Sequence, residues 1–405
     1  MVGRPWIILG LSIICLPTLC RAAEDIPDFV SSTGQKWKLL WHDEFDGEKL
    51  DESKWTFGLP WGGTDGAHRH HNDLYASYMM EHNVAVAGGK LGLLTRKEDV
   101  TARNGKLFHY TQAMVHTDGK FNHKYGYWEV RAKIPAEAGP GLWPAFWTLS
   151  KGWPPEMDIL EVWTSVNRSH QGMAYRGSDG RTKWDDYNES VPLPTDWTTY
   201  GMEWGPGYQV YYLNGQIKRR VYGEYVTDVD HYVLLNSGVE SGNLPTAGTI
   251  FPNAFEVDYV RVFERPDVPV VHNGGFEFSS TAPWTSYGRA SVIGYGAHSG
   301  KQALRIDAAA TPAGAEQRIW GLKPNTSYKL TGFAKVLVQN GQARIGVKGY
   351  GGNETFEAAT QSEFAPLTVR FTTGPQATSA TLYCFVPVPA ASAIFDDLEL
   401  ARVAE

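Results

Sequence analysis

Between about residues 37 and 265 the hydrophobic positions come in short alternating runs broken by Gly, Asn and Pro, and no stretch sustains a helical period. That pattern predicts the strands of an all-β sandwich. Asn83–Thr95 reads as a hairpin turning at Gly88-Gly89, and Gln209–Ile217 as a second turning at Asn214-Gly215, since both dipeptides accept the positive φ of a two-residue turn. From Tyr125 to Ile134, Tyr125, Tyr127, Glu129, Arg131 and Lys133 fall on one side, and Trp128, Val130, Ala132 and Ile134 on the other. Periodicity alone does not say whether that polar side meets solvent or a concave cleft. In Leu142–Leu149 the two indoles Trp143 and Trp147 share a face opposite Leu142 and Phe146. Because the opposite face is already apolar, at least one of these Trp residues is expected to line a cleft.

The run Pro154-Pro155-Glu156-Met157-Asp158-Ile159-Leu160-Glu161-Val162-Trp163 breaks the alternation. On a helix Glu156 and Asp158 would stand about 200° apart. On a strand they share a face, with Met157 and Ile159 opposite, and Glu161 is then out of phase by one residue. A single β-bulge at Ile159 or Leu160 returns Glu161, and Trp163 after it, to the acidic face. The backbone between Glu156 and Glu161 spans roughly 13 Å, which two side chains leaning together can close to about 5–5.5 Å, the separation of a retaining glycosidase. In that chemistry one carboxylate attacks the anomeric carbon, while the other protonates the leaving oxygen and later deprotonates water. Asp158 between them can hold a shared proton and push neighbouring pKa values apart. A solvated acidic face or a calcium site is the competing reading. The surrounding aromatic residues favour catalysis, because idle charges are costly beside apolar groups.

Glu156-x-Asp158-x-x-Glu161 resembles the bulged active-site motif of glycoside hydrolase family 16, the family of laminarinases, agarases, carrageenases and porphyranases. The likeness extends over roughly residues 37–264. Trp41–Gly47 is similar to the family's first strand, and Lys124–Arg131, Gly141–Trp147, Tyr200–Trp204 and Val257–Val262 to later ones. The resemblance implies a concanavalin-like β-jelly-roll, retention of configuration, Glu156 as nucleophile, Glu161 as acid/base and Asp158 as their helper. It also favours the cleft for Glu129 and Arg131, as ion-pair partners of each other. It needs no cofactor for catalysis; any calcium is structural, with Asp258 and carbonyls near the first strand as a candidate site.

Other residues are candidates for binding sugar. Leu59–His71 is Gly-rich and reads as a cleft-edge loop that offers Trp61, Arg69 and His71 to sugar hydroxyls. Its His spacing makes no convincing closed zinc site. His170 is expected near the sugar being cleaved, or else as a hydrogen-bonded structural His, and Trp184 is a weaker candidate of the same kind. Trp143, Trp147, Trp163, His170, Trp61, Arg69 and His71 form the expected substrate-binding set.

After Arg265-Pro266-Asp267-Val268-Pro269, read as a linker over 266–270, the composition shifts toward Ala, Gly, Thr and Ser. Asn273–Glu277 with Trp284, Gly300–Leu304 and Phe395–Leu400 resemble strands of a carbohydrate-binding module of the family 4/9/22 type. That implies a second β-sandwich over 271–405, which either binds sugar through Trp284, Tyr287, Tyr295, Trp320 or Tyr350, or only braces the enzyme. It also implies a structural calcium near Glu277 and Asp396 or Asp397.

Composition narrows the picture. The chain has 405 residues and is rich in Trp and Tyr, which suits stacking on sugar faces. Residues 1–22 read as a signal peptide, with Arg4, an apolar run from Trp6 to Leu16 too short to span a bilayer, and Ala22 at the cleavage site. Losing Arg4 and Arg21 takes the formal charge from −7 to −9, which disfavours nucleic acid and anionic lipid. Cys15 and Cys20 leave with the signal and Cys384 stays alone, so no internal disulfide can form. The expectation is a secreted or periplasmic monomer with a catalytic domain over 23–265. It cleaves a β-1,3- or mixed-linked glucan, or, because Pro155 and Leu235–Gly242 depart from the laminarinase pattern, a marine galactan. A non-catalytic lectin-like sandwich is disfavoured by the complete acidic triplet, and a plant-type transglycosylase by the bulged spacing.

Overall fold

The computed structural model describes residues 29–30, 36–134, 139–164, 168–189, 196–223, 225–264, 270–278 and 280–403. The expected signal peptide and most of the expected linker lie outside these residues. The chain forms two compact units, whose main division falls between Glu264 and Arg265. Among the described residues the secondary structure is strand, apart from a 3-10 turn at Glu81–Asn83.

The first unit holds a seven-stranded sheet and most of a nine-stranded one, whose segments Glu203–Val210 and Arg220–Asp228 group with the second unit. In the seven-stranded sheet the order is Thr182–Glu189, Arg168–Arg176, Glu156–Trp163, Ala145–Leu149, Tyr232–Asn236, Met114–His116 and Thr56–Phe57, all antiparallel. One cross-strand row, Leu160, Phe146, Leu235 and Val115, is fully buried and marks the inward face. Both expected hairpins form. Val84–Val86 pairs with Leu91–Thr95 through Gly88 and Gly89 at positive φ, and Tyr208–Leu213 neighbours Gln216–Tyr222 through Asn214 and Gly215, also at positive φ.

The strand Gly126–Lys133 alternates as its sequence predicts, with Trp128, Val130 and Ala132 fully buried. It belongs to the nine-stranded sheet, however, and not to the sheet that carries the acidic strand. The expectation that Glu129 and Arg131 line the cleft as mutual partners is therefore corrected. Glu129 accepts hydrogen bonds from the Tyr127 hydroxyl at 2.9 Å and the Tyr259 hydroxyl at 2.8 Å. Arg131 pairs with Asp258 at 2.5 Å.

The second unit contains two five-stranded sheets around a core that includes Leu304, Ile306, Leu330, Ile345, Leu382 and Phe395. Trp284 belongs to that core. It is buried beside Phe276, and its indole N–H donates to His272 O at 3.1 Å, so it offers no sugar face. Tyr350 is a core residue as well. Both depart from the sequence expectation for one reason: an aromatic ring whose polar tip finds a backbone acceptor can be buried whole.

Candidate active site

The bulge forms where the spacing demands it. Against Ala145–Leu149, Glu161 faces Ala145 and Leu160 faces Phe146, but Asp158 faces Trp147, so Ile159 is the extra residue. Against Arg168–Arg176, Asp158 faces Gly172 and Glu161 faces His170. Only Gln171 answers Ile159 and Leu160, and its side-chain amide donates to Ile159 O at 3.1 Å, filling an acceptor the ladder leaves open. Glu156, Asp158 and Glu161 thereby share the face that also carries Ala145, Trp147 and Leu149, while Met157, Leu160 and Val162 are buried on the opposite side.

Each outer acid meets an indole. Trp143 Nε1 donates to Glu161 Oε1 at 2.8 Å, and Trp153 Nε1 donates to Glu156 Oε2 at 2.9 Å. Trp143 lies just outside its strand and stacks flat on Tyr75, with centroids 4.5 Å apart and an interplanar angle of 2°. Trp163 leans on both Trp143 and His170, at 6.0 and 5.3 Å. His170 is buried, with Nε2 3.8 Å from Glu161 Oε2, which makes it a neighbour of the acid more than a surface for sugar. Asp158, Glu161 and His170 each bring a polar atom within 4.8 Å of the others, so two carboxyls and an imidazole crowd one end of the triad.

Tyr75 was not singled out from the sequence. Burial pushes its phenol pKa well up, and the charges of Glu161, Glu156 and Asp158 push it further, so it stays a neutral hydroxyl amid the three acids. Asn236 is its hydrogen-bond partner and also accepts from Trp147 Nε1 at 2.8 Å. The signal was too weak to read, because Tyr75 and Asn236 reach the acids from remote segments.

The loop over Leu59–His71 packs on the same face. Leu59 joins Met114, Trp147, Leu149 and Leu234 in a cluster, with Trp61 against it. Trp147 is thus on the catalytic face but mostly covered. His71 sits between Trp61 and Tyr75, at 5.0 and 5.5 Å. Burial, with help from His70, pulls the His71 pKa down to about 4, so its imidazole is neutral at neutral pH. Its Nδ1 is buried and has no hydrogen-bond partner among the described residues. Arg69 departs from expectation. Its guanidinium binds Glu81 at 2.7 Å and Met79 O at 3.3 Å and covers Phe57, so it ties down the loop and does not face sugar.

The two expected calcium sites differ. Asp258 is committed to Arg131 and does not fit a cation. In the second unit Asp396 is fully buried beside Asp397, and burial, with the Asp397 charge, raises its pKa although backbone amides of His298 and Ser299 hydrogen-bond to it. Glu277 accepts from the Lys301 and Gln302 amides. Asp397 is in turn engaged by the His298 imidazole at 2.6 Å and the Ser299 hydroxyl at 2.7 Å, so these carboxylates are held by protein donors.

The outward side of one second-unit sheet is aromatic. In register, Tyr287 faces Gly314, which faces Phe385; Tyr383 faces Gly346, which faces Phe356. A Cβ on Gly314 would come within 2.4 Å of the Tyr287 hydroxyl, and one on Gly346 within 2.2 Å of the Tyr383 ring, so the two glycines let these rings lie across the sheet. Tyr287 and Phe356 are exposed, as is Tyr295 on another strand connection, while Trp320 is half-buried at its strand's end.

Known proteins share this plan. The family profile described as "Glycosyl hydrolases family 16" matches residues 71–244, and the one described as "Carbohydrate binding domain" matches residues 268–392. The chain is 31% identical over 382 residues to the keratan-sulfate endo-1,4-beta-galactosidase of Sphingobacterium multivorum, spanning 87% of this chain and 84% of that protein. It is 29% identical over 271 residues to the beta-glucanase of Rhodothermus marinus, spanning 58% of this chain and 87% of that protein. The solved endo-beta-1,3-glucanase from Pyrococcus furiosus superposes with a TM-score of 0.50 at 31% identity, covering 60% of this chain and 99% of that structure.

Proposed function

The chain belongs to glycoside hydrolase family 16, and from that premise we propose a secreted endo-β-glycanase that hydrolyses a β-linked polysaccharide with retention. The observation that carries this reading is the bulge at Ile159, which sets Glu156, Asp158 and Glu161 on one face. Glu156 attacks the anomeric carbon and forms an ester bond to the sugar as the glycosidic C–O bond breaks. Glu161 gives its proton to the departing oxygen. Water then enters from the same side, Glu161 takes its proton, and the ester breaks to restore the β configuration and free Glu156. Trp143 donates to Glu161 Oε1, and Oε2 lies on the His170 side, so an indole and an imidazole flank the acid. Glu156→Gln and Glu161→Gln are each expected to abolish cleavage while the fold survives. Reducing-end release by either purified variant at the wild-type rate would end the assignment.

A β-1,3- or mixed-linked glucan is the substrate of first choice, because glucanases recur among the similar proteins. A β-galactan is the second. It is favoured by the 31% identity with the keratan-sulfate enzyme, which extends across both domains. A panel of laminarin, mixed-linked glucan, agarose, porphyran, carrageenan and keratan sulfate, with product sizing, separates the two.

The second domain is read as the polymer-binding partner of the hydrolase, acting through Tyr287, Phe385 and Phe356. The double substitution Tyr287→Ala/Phe385→Ala is expected to weaken retention on the insoluble form of the cleaved polymer more than it slows cleavage of a short soluble oligosaccharide. Unchanged retention would leave this domain a brace. Export rests on the signal-like residues 1–22; no helix among the described residues is long and apolar enough to cross a membrane.

A further inference from the structure

The acidic strand has a neighbour whose exposed indole neither the triad nor the loop accounts for. In register, Glu156 faces Ala174 and Ala174 faces Trp184, so Trp184 points to the catalytic side two strands beyond the nucleophile. Two interstrand spacings place it about 10 Å away. The residue between is alanine, which leaves the path from one to the other low. Trp153 approaches from the loop before the acidic strand, with its ring 6.2 Å from that of Trp184 and inclined by 52°. Half of each side chain is exposed, 51% for Trp153 and 48% for Trp184, an unusual pairing for two large apolar rings. Trp153 is also held from below, since Arg176 Nη2 donates to its carbonyl at 3.2 Å, and its indole N–H is the donor to Glu156 Oε2.

We propose that Trp153 and Trp184 form an outer subsite that stacks on the flat apolar face of a pyranose ring, and that its occupancy is passed to Glu156 through the Trp153 indole N–H. The inference rests on the glycanase reading above. A sugar ring wedged in the V of the two indoles fixes Trp153, and a fixed Trp153 holds the nucleophile's carboxylate in one orientation. A long chain therefore gains both affinity and turnover that a chain too short to reach Trp184 does not. Trp184 contributes contact with the substrate. Trp153 contributes contact and also acts as a positioning residue for Glu156.

The experiment compares KM and kcat of the wild-type full chain and its variants on the polymer that the panel selects and on the shortest of its oligosaccharides that the wild type cleaves. Trp184→Ala is expected to raise the ratio of polymer KM to oligosaccharide KM roughly tenfold, the loss of one aromatic stacking contact. Trp184→Tyr, which keeps a ring, is expected to recover most of it. Trp153→Phe keeps a ring but no N–H, and is expected to lower kcat on both substrates more than it raises KM. An unchanged ratio in Trp184→Ala, or a Trp153→Phe variant with wild-type kcat, overturns the subsite. Wild-type protein that cleaves nothing on the panel overturns the glycanase reading instead. Thermal unfolding at the wild-type temperature confirms that each variant is folded.

Discussion

The indole N–H of Trp143 meets Glu161 because the ring lies flat on Tyr75, and Tyr75 can lie there because Gly238 is beneath it. A Cβ on Gly238 would come within 2.9 Å of the Tyr75 ring and 2.8 Å of the Gln112 side chain. Gly238→Ala is therefore expected to tilt the stack and lower kcat on every substrate at least tenfold, a loss of about 1.4 kcal/mol of transition-state stabilisation, with KM changed little. A wild-type kcat in that variant would uncouple the stack from the acid. A second residue governs pH. Burial pushes the Glu44 pKa up, but hydrogen bonds from His42 and a two-pronged pair with Arg261, at 2.9 and 2.8 Å, outweigh it and hold the carboxyl at about 2. A depressed carboxylate stabilises the fold above its unfolded pKa and loses that contribution as pH falls toward 2. Denaturant unfolding between pH 5 and pH 2 is expected to show a loss of up to about 3 kcal/mol that Glu44→Gln lacks. An equal slope in the two proteins would place the acid sensitivity elsewhere. At this scale the sequence showed the carboxylates plainly, because their spacing is local. It hid Tyr75 and Asn236, because nothing local marks which distant side chain will fold over the acids. It misassigned Arg69, whose partner Glu81 decides its direction.

The element that matters most is the bulged strand. Its phase was readable because strand alternation is rigid: with Glu161 one step out, either the strand bulges or the acid is buried. Insertion of one alanine between Leu160 and Glu161 adds a second phase error and is expected to turn Glu161 toward the apolar side. The result should be no detectable cleavage and a marked drop in unfolding temperature, since an unpaired buried carboxylate costs several kcal/mol. Retained cleavage would show that the bulge does not set the phase. The strand Gly126–Lys133 shows where such reasoning stops. Alternation sorted its two faces correctly, but only the pairing of strands tells which sheet it joins, and its polar face belongs to the sheet without the triad. The Leu59–His71 loop was recognised as a loop from its glycines, yet its packing on Trp147 and Leu149 follows from tertiary contacts that have no signature in sequence.

For the whole molecule, two sandwiches were expected and two are present, each with its own core. The second differs most from its sequence expectation in its binding face, because Trp284, the loudest aromatic, is buried, while Tyr287, Phe385 and Phe356 surface through strand pairing that the sequence does not disclose. The calcium expected from the sequence near Glu277 and Asp396 or Asp397 gives this domain a further test. If calcium sits there, adding the ion raises the domain's unfolding temperature, a chelator reverses the rise, and Asp396→Asn abolishes the difference. An unfolding temperature indifferent to both would leave the carboxylates to their backbone donors.

Cys384 lies sealed in the same sandwich, on a strand whose neighbours in the core are aliphatic, and burial keeps its thiol from ionising. Among the described residues Cys384 is the one cysteine, so within them a reagent for sulfhydryls has a single target, reached only when that sandwich opens. Labelling of Cys384, read by mass, thus times the opening of that sandwich.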